Sequence, residues 1–145
     1  MDFELSNRQK QVRLAAREFA EGMFPQFVED CDLNETFPMD LWKRACELGF
    51  IGVFIKKEYG GLGLGFLENA LIAEEFWRVD AGCGNIALAA LGSEFILLYG
   101  REEQKKKYLP QLLKGDAIMG MAITESDAGS DVTSVRTIAR KIGDK

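Results

Sequence analysis

The sequence predicts a mainly α protein. A helical bundle domain is expected over residues 1–116, followed by the first strands of an incomplete β domain over 117–145. Three observations lead there. Apolar residues recur at three- and four-residue spacing through the first four-fifths of the chain, which is the period of a buried helix face. After Gly115-Asp116 that period gives way to apolar β-branched runs and alternation, the signature of strands. The composition, 47% hydrophobic and 28% charged over 145 residues, is that of a globular domain able to bury a sizeable core.

The elements follow in order. Ser6 with Gln9 forms a capping-box pattern, after which Val12, Ala15, Ala16, Phe19 and Met23 mark one buried face. Pro25 ends or kinks this first helix. A polar, acidic stretch from Glu29 to Glu35 leads to Phe37-Pro38, where proline starts a second helix. That helix turns Leu41, Trp42, Ala45 and Leu48 inward and stops at Gly49. Phe50 to Ile55 reads as an extended segment or tight connector, and Glu58 to Gly65 as a glycine-dense loop. A third helix is expected from about Phe66 to Arg78, with Leu67, Ala70, Leu71 and Trp77 apolar. The fourth, from about Ala81 to Tyr99, is apolar almost all round (Ile86, Leu88, Leu91, Phe95, Ile96, Leu97) and should be central in the bundle. Gly100 ends it. A fifth stretch, about Glu102 to Lys114, should be broken in two by Pro110. Strand patterning then covers Ala117 to Ile123 and Thr133 to Ile142, where Val135, Thr137 and Ala139 alternate with Arg136, Ile138 and Arg140. Gly143-Asp144 reads as a turn.

Composition also excludes. With no histidine there is no imidazole base, no Ser-His-Asp or Cys-His mechanism and no His-ligated metal. A net charge of −5 argues against nucleic acid, which needs clustered Lys and Arg. The run Lys105-Lys106-Lys107 reads as a solvated helix face, with Glu102–Lys106 and Glu103–Lys107 as i,i+4 pairs. Cys31, Cys46 and Cys83 are odd in number and widely spaced, which suits free thiols in a reducing compartment. The start, Met1-Asp2-Phe3-Glu4, is unlike a signal peptide. The most apolar window, Ile86 to Tyr99, contains Ser93 and Glu94 and falls short of the roughly 20 residues of a membrane span. The sequence reads as cytoplasmic.

Two segments invite chemistry. Gly61-x-Gly63-x-Gly65 lacks both the spacing and the βαβ surroundings of a dinucleotide fingerprint, so a backbone needing φ > 0 or close packing is the simpler reading. Thr124-Glu125-Ser126-Asp127-Ala128-Gly129-Ser130-Asp131 is small and polar, and successive N–H groups in such a turn can form an anion-binding nest. Glu125, Asp127 and Asp131 oppose a bare phosphate unless they point away and cap turns. Chemistry alone favours a structural Asx/Ser turn here.

Met121-Ala122-Ile123-Thr124-Glu125-Ser126-Asp127-Ala128-Gly129-Ser130-Asp131 resembles the flavin-binding signature of the acyl-CoA dehydrogenase family. Phe37-Pro38-x-x-Leu41-Trp42, Leu48-Gly49, Glu58-Tyr59-Gly60-Gly61-Leu62-Gly63, Glu74-Glu75 and Gly100-x-x-Glu103-Gln104-Lys105-x-x-Tyr108-Leu109-Pro110 follow in the family's order and spacing. Ser126 departs from the pattern, standing where the family usually has proline.

The resemblance implies a helical N-terminal domain, a middle β domain and a C-terminal helical bundle, with FAD between the latter two. It implies Met121, Ala122, Ile123, Thr124, Glu125, Ser126, Asp127, Ala128, Gly129 and Ser130 as cofactor-binding residues. Thr124 would bond the isoalloxazine edge, and Ser130 would sit near the pyrophosphate and the substrate's pantetheine. Cys83, Ala87 and Leu91 would join Ser130 in binding substrate as a wall of the acyl pocket, with plain bundle core as the competing reading. No residue of this chain matches the family's catalytic base, and Glu74, Glu75 and Glu125 are not substitutes. The expected function is α,β-dehydrogenation of an acyl-CoA in fatty acid metabolism, with hydride passing to FAD and electrons to an electron-transfer flavoprotein. The assembly implied is a homo-oligomer, tetramer or dimer, and this chain alone would be inactive. The alternatives are a related acyl-CoA oxidase or nitroalkane oxidase, or a non-catalytic helical interaction module.

Overall fold

The computed structural model describes residues 4–143, and the fold is helical throughout its first part. Helix α1 spans Asn7–Met23. Its start is fixed as the sequence predicts: the Gln9 N–H donates to Ser6 Oγ at 3.3 Å, and the Ser6 N–H donates to Gln9 Oε1 at 2.9 Å. Ala16, Phe19 and Ala20 are buried, whereas Ala15 is exposed, so the inward stripe is rotated slightly from the expected one. Pro25 falls in a 3₁₀ turn, Phe24–Gln26, that ends the helix. The acidic stretch beyond is itself a helix, α2, Val28–Asn34, which ends where Glu35 adopts φ 51°.

Helix α3, Met39–Glu47, starts after Pro38 and buries Leu41, Trp42, Ala45 and Cys46. Cys46 takes the inward place expected of Leu48, which is exposed. Phe50 to Ile55 is the tight connector, with Ile51, Val53, Phe54 and Ile55 all buried. The glycine loop packs back against it. A Cβ on Gly61 would lie 2.0 Å from the Ile55 carbonyl oxygen, so only glycine fits there.

Helix α4, Phe66–Val79, packs along α1 in the largest interface between elements of the fold. It buries Leu71, Ile72, Glu75 and Phe76 and leaves Leu67, Ala70 and Trp77 exposed. Glu75 is wholly buried as a charge. It accepts from Arg13 Nε at 2.6 Å, from Arg17 Nε and Nη2 at 2.9 and 2.8 Å, and from Arg78 Nε at 2.9 Å. Those hydrogen bonds, that of Arg17 foremost, outweigh desolvation and hold its carboxyl far below the usual carboxylate range.

The long helix expected over 81–99 is not formed. In its place stand α5, Ala81–Gly84, a 3₁₀ segment, Asn85–Ala89, and α6, Ser93–Tyr99, separated by a turn. Gly92 at φ 100° makes that turn, and a Cβ there would crowd the Gly120 carbonyl oxygen at 3.2 Å. Nor is this stretch central throughout. Ile86 is buried, but Leu88, Leu91, Phe95, Leu98 and Tyr99 are exposed.

Helix α7, Glu102–Leu113, runs unbroken through Pro110, contrary to the expected break. Proline removes one N–H from the ladder, but the turn carrying it is held by Leu109 and Leu112, both fully buried. On its exposed face Glu102 pairs with Lys105 at 3.1 Å, one residue short of the expected Lys106, and accepts from Tyr59 Oη at 2.8 Å.

Past α7 the strand patterning does not become strand among the described residues. Residues 117–143 form two isolated bridges, Ala90 with Met119 and Glu125 with Ala128, and a 3₁₀ turn at Val132–Ser134. A strand needs a partner ladder, and the segment instead meets the helices through isolated bonds, from the Ala117 N–H to Gln111 O at 3.3 Å and from the Met119 N–H to Ala89 O at 2.8 Å. The turn expected at Gly143-Asp144 lies partly outside the described residues. Among these residues no helix is long and apolar enough to cross a membrane.

Two outcomes test this architecture. Trp42 and Phe19 sit in the core, at 0% and 8% exposure. Truncating a buried aromatic costs about 3–5 kcal/mol, so Trp42→Ala and Phe19→Ala should each lower the thermal midpoint sharply; unchanged midpoints would mean the helix faces are misassigned. The Glu75 cluster predicts a pH dependence of definite sign. A depressed carboxyl stabilises fully above its unfolded value, about 4.3, and that stabilisation drains as pH falls towards the folded value. The midpoint should therefore fall on acidification below about pH 5, and Glu75→Gln should be less stable at neutral pH yet less acid-sensitive, as read by thermal melts across pH.

Candidate functional site

The segment Met121 to Asp131 leaves the helices just after the Met119 tether and runs past the N-terminal end of α6. A cavity of about 690 Å³ lies between them, lined by Gly92, Phe95 and Ile96 on one side and by Met121, Ala122, Ile123, Val132 and Val135 on the other. Its walls are largely apolar, as suits a flat or aliphatic ligand. Gly92 allows close approach here, since its α carbon faces the Gly120 carbonyl directly. Sequence reasoning named the loop side of this cavity but missed Phe95 and Ile96, which read there as bundle core, Val135, which read as strand, and Val132, which fell in no predicted element.

The polar part of the segment is organised by its own carboxylates. Glu125 accepts from the Arg136 and Thr137 backbone N–H groups, both at 2.8 Å, and from the Thr137 hydroxyl. Those bonds, that from Arg136 first, lower its carboxyl below the ordinary range. Asp131 accepts from the Thr133 N–H at 3.1 Å and from the hydroxyls of Thr133 and Ser134, with the same effect on its carboxyl. Asp127 reaches Arg136 only at 4.0 Å. Ala128 is buried and pairs with Glu125, while Thr124, Ser126, Gly129 and Ser130 are exposed. A Cβ on Gly129 would meet nothing within 4 Å, so the loop's outer side is open.

Cys83, Ala87 and Leu91 do not gather at this cavity. Cys83 is fully buried, Ala87 packs against the core, and Leu91 is exposed one residue before Gly92. Glu74 and Glu75 are bound to arginines on α1, Glu74 by Arg13 at 3.1 Å, and belong to the framework.

The sequence profile described as "acyl-CoA dehydrogenase, N-terminal domain" matches residues 6–116. The chain is 37% identical over 140 residues to acryloyl-CoA reductase (NADH) of Anaerotignum propionicum, covering 96% of this chain and 36% of that protein. It is 38% identical over 146 residues to the short-chain specific acyl-CoA dehydrogenase of Clostridium acetobutylicum, covering 99% and 38%. The fold superposes on the acyl-CoA dehydrogenase of Bacillus anthracis complexed with FAD with a TM-score of 0.81 at 35% identity, over 91% of this chain and 23% of that one. The chain thus spans little more than a third of the length of these curated relatives. With its profile match, helical architecture and near-complete coverage by such relatives, the chain belongs to the acyl-CoA dehydrogenase family, whose N-terminal domain it carries.

Proposed function

We propose that this chain supplies one wall of the flavin and acyl-thioester site of an FAD-dependent acyl-CoA dehydrogenase. The supporting observation is the apolar cavity between α6 and Met121–Ile123, opened by a loop whose small residues face outward. When bound, FAD would supply the hydride acceptor for α,β-dehydrogenation of an acyl thioester. The residues here fit such a group: Met121, Ala122 and Ile123 offer an apolar face, and Thr124 and Ser130 offer exposed hydroxyls on a loop open to approach. Thr124 would hold the isoalloxazine edge, while Ser130 would hold the pyrophosphate and the substrate's pantetheine. Glu125 does not touch the reacting atoms in this reading; it and Ser126, Asp127, Ala128 and Gly129 hold the loop's shape. Cys83, Ala87 and Leu91 do not line the cavity, and in this reading they belong to the bundle framework.

In the same reading residues 1–116 are a helical domain, and 117–145 open a β domain whose strands form when further strands pair with them. Without those strands and a base the chain alone is inactive. Acyl-CoA is the substrate, an electron-transfer flavoprotein the electron acceptor, and the working protein a homo-oligomer in the cytoplasm.

Two measurements test this. Replacing the matching third of the Clostridium acetobutylicum enzyme with this chain should give a yellow protein whose flavin absorbance an acyl-CoA bleaches; a folded, flavin-loaded chimera that no acyl-CoA bleaches would overturn the reading. By contrast, the 145-residue chain alone should bind little FAD. Its donors stay in water, where each bond nets about 0.5–1.5 kcal/mol. Saturable quenching of flavin fluorescence at low micromolar FAD would show that far more of the site lies here.

A further inference from the structure

Outside the proposed site, a pair of cysteines from distant parts of the sequence is brought together. Helix α2 packs against α5, and the 3₁₀ turn between α1 and α2 lies over Cys83, whose Sγ is 3.9 Å from the Phe24 carbonyl oxygen. Cys31 on α2 packs against the core cluster that contains Cys83, and it shares a cavity wall with Asp80 and Gly82, which shortly precede Cys83 in the sequence. Their exposures are unequal. Cys83 is fully buried, whereas Cys31 lines an open cavity of about 550 Å³ whose other walls include Val28, Asp32, Asp80 and Gly82. Asp80 caps α5 by accepting from the Cys83 N–H at 2.7 Å, which fixes the backbone that carries the inner thiol.

We infer that Cys31 and Cys83 form an oxidant-responsive thiol pair, with Cys31 the sulfur attacked from the cavity and Cys83 the resolving sulfur behind it. A peroxide is the oxidant that this geometry admits, being small enough to enter the cavity. The Cys31 sulfur attacks one peroxide oxygen: an S–O bond forms, the O–O bond breaks, and the other oxygen leaves as water. The Cys83 sulfur then attacks the sulfenic sulfur of Cys31. The S–S bond forms, the S–O bond breaks, and the oxygen leaves as a second water carrying the Cys83 thiol proton. Two thiols are oxidised and one peroxide is reduced to two waters. The order of attack follows from burial. Desolvation first, then the neighbouring Cys31 and Asp80, push the Cys83 thiol well above its ordinary value, in keeping with the outer Cys31 meeting the peroxide first. Cys46 is a built-in control. It is buried between α3 and α7, its Sγ faces the Leu112 carbonyl oxygen at 3.6 Å, and burial pushes its thiol up to about 12.

The test is to treat the folded chain with hydrogen peroxide, alkylate in denaturant and weigh it intact. Of three thiols, two should disappear with a mass loss of two hydrogens, and a non-reducing digest should join the Cys31 and Cys83 peptides. The product should melt at higher temperature than the reduced chain and revert with dithiothreitol, because the bridge closes a long loop. Cys31→Ser changes the half-exposed partner and should leave the fold intact by circular dichroism; it should keep both remaining thiols free at the same peroxide dose. Three surviving thiols, stable oxygen adducts on Cys31, a Cys31-linked dimer, or equal thiol loss in Cys31→Ser would each overturn the pairing.

Discussion

One buried charge sets the register of the helical domain. Glu75 has no exposure, and an uncompensated carboxylate in such a place would be prohibitively costly. Its cost is met only if Arg13 and Arg17, one turn apart on α1, and Arg78 on its own helix all converge on it. The pairs Gln9–Glu68, Arg13–Glu75 and Glu21–Arg78 rise together along both helices, so α1 and α4 run in the same direction with a fixed offset. A slip by one turn would leave the carboxylate against apolar side chains. The three guanidiniums remain partly solvated, which lowers the desolvation penalty on their side.

From that register the core follows. Phe76 is the residue after Glu75, and fixing one fixes the other. Phe76 then meets Phe19, Phe24 and Phe50 at centroid distances of 5.5, 5.3 and 5.6 Å, a cluster joining α1, the turn after it and the connector. Such edge and tilted pairs add to the area they bury. The connector in turn presents Ile55 to the glycine loop, and α3 presents Trp42 and Cys46 towards α7. Each layer is seated on the one before it.

What was legible in the sequence was local. The Ser6–Gln9 cap, the proline before α3 and the stop at Gly49 each depend on residues within one turn, and the structure has them where the sequence puts them. What was illegible depended on distance. Glu74 and Glu75 are alike as neighbours, and only α1, some 60 residues away, decides that Glu75 is the buried one. The stretch from Ala81 to Tyr99 reads as one apolar helix because hydrophobicity hides its breaks: Gly82 and Gly84 permit α5 to be short, and Gly92 turns the chain so that α6 faces the segment after α7. Pro110 misleads in the opposite sense, since packing of Leu109 and Leu112 outweighs the one backbone bond it removes. At the site, the loop residues could be named from their pattern, but Phe95 and Ile96 could not, because the same apolar letters describe a core and a cavity wall.

The loop itself resolves a contradiction that its composition poses. Three carboxylates within seven residues should repel an anionic ligand, yet the segment has the small, flexible character of one that binds it. The structure turns the lone pairs of Glu125 inward to two backbone N–H groups and a hydroxyl, and those of Asp131 to one N–H and two hydroxyls. Both charges are thereby partly neutralised by donors of the loop's own backbone, and both stay ionised to lower pH than free carboxylates. Only Asp127 remains directed to solvent, with Arg136 beside it at 4.0 Å. The acidic residues are therefore the loop's scaffold. They fix its curvature without help from the helical core, which leaves Thr124, Gly129 and Ser130 on the outer side, open to whatever the loop is shaped to meet.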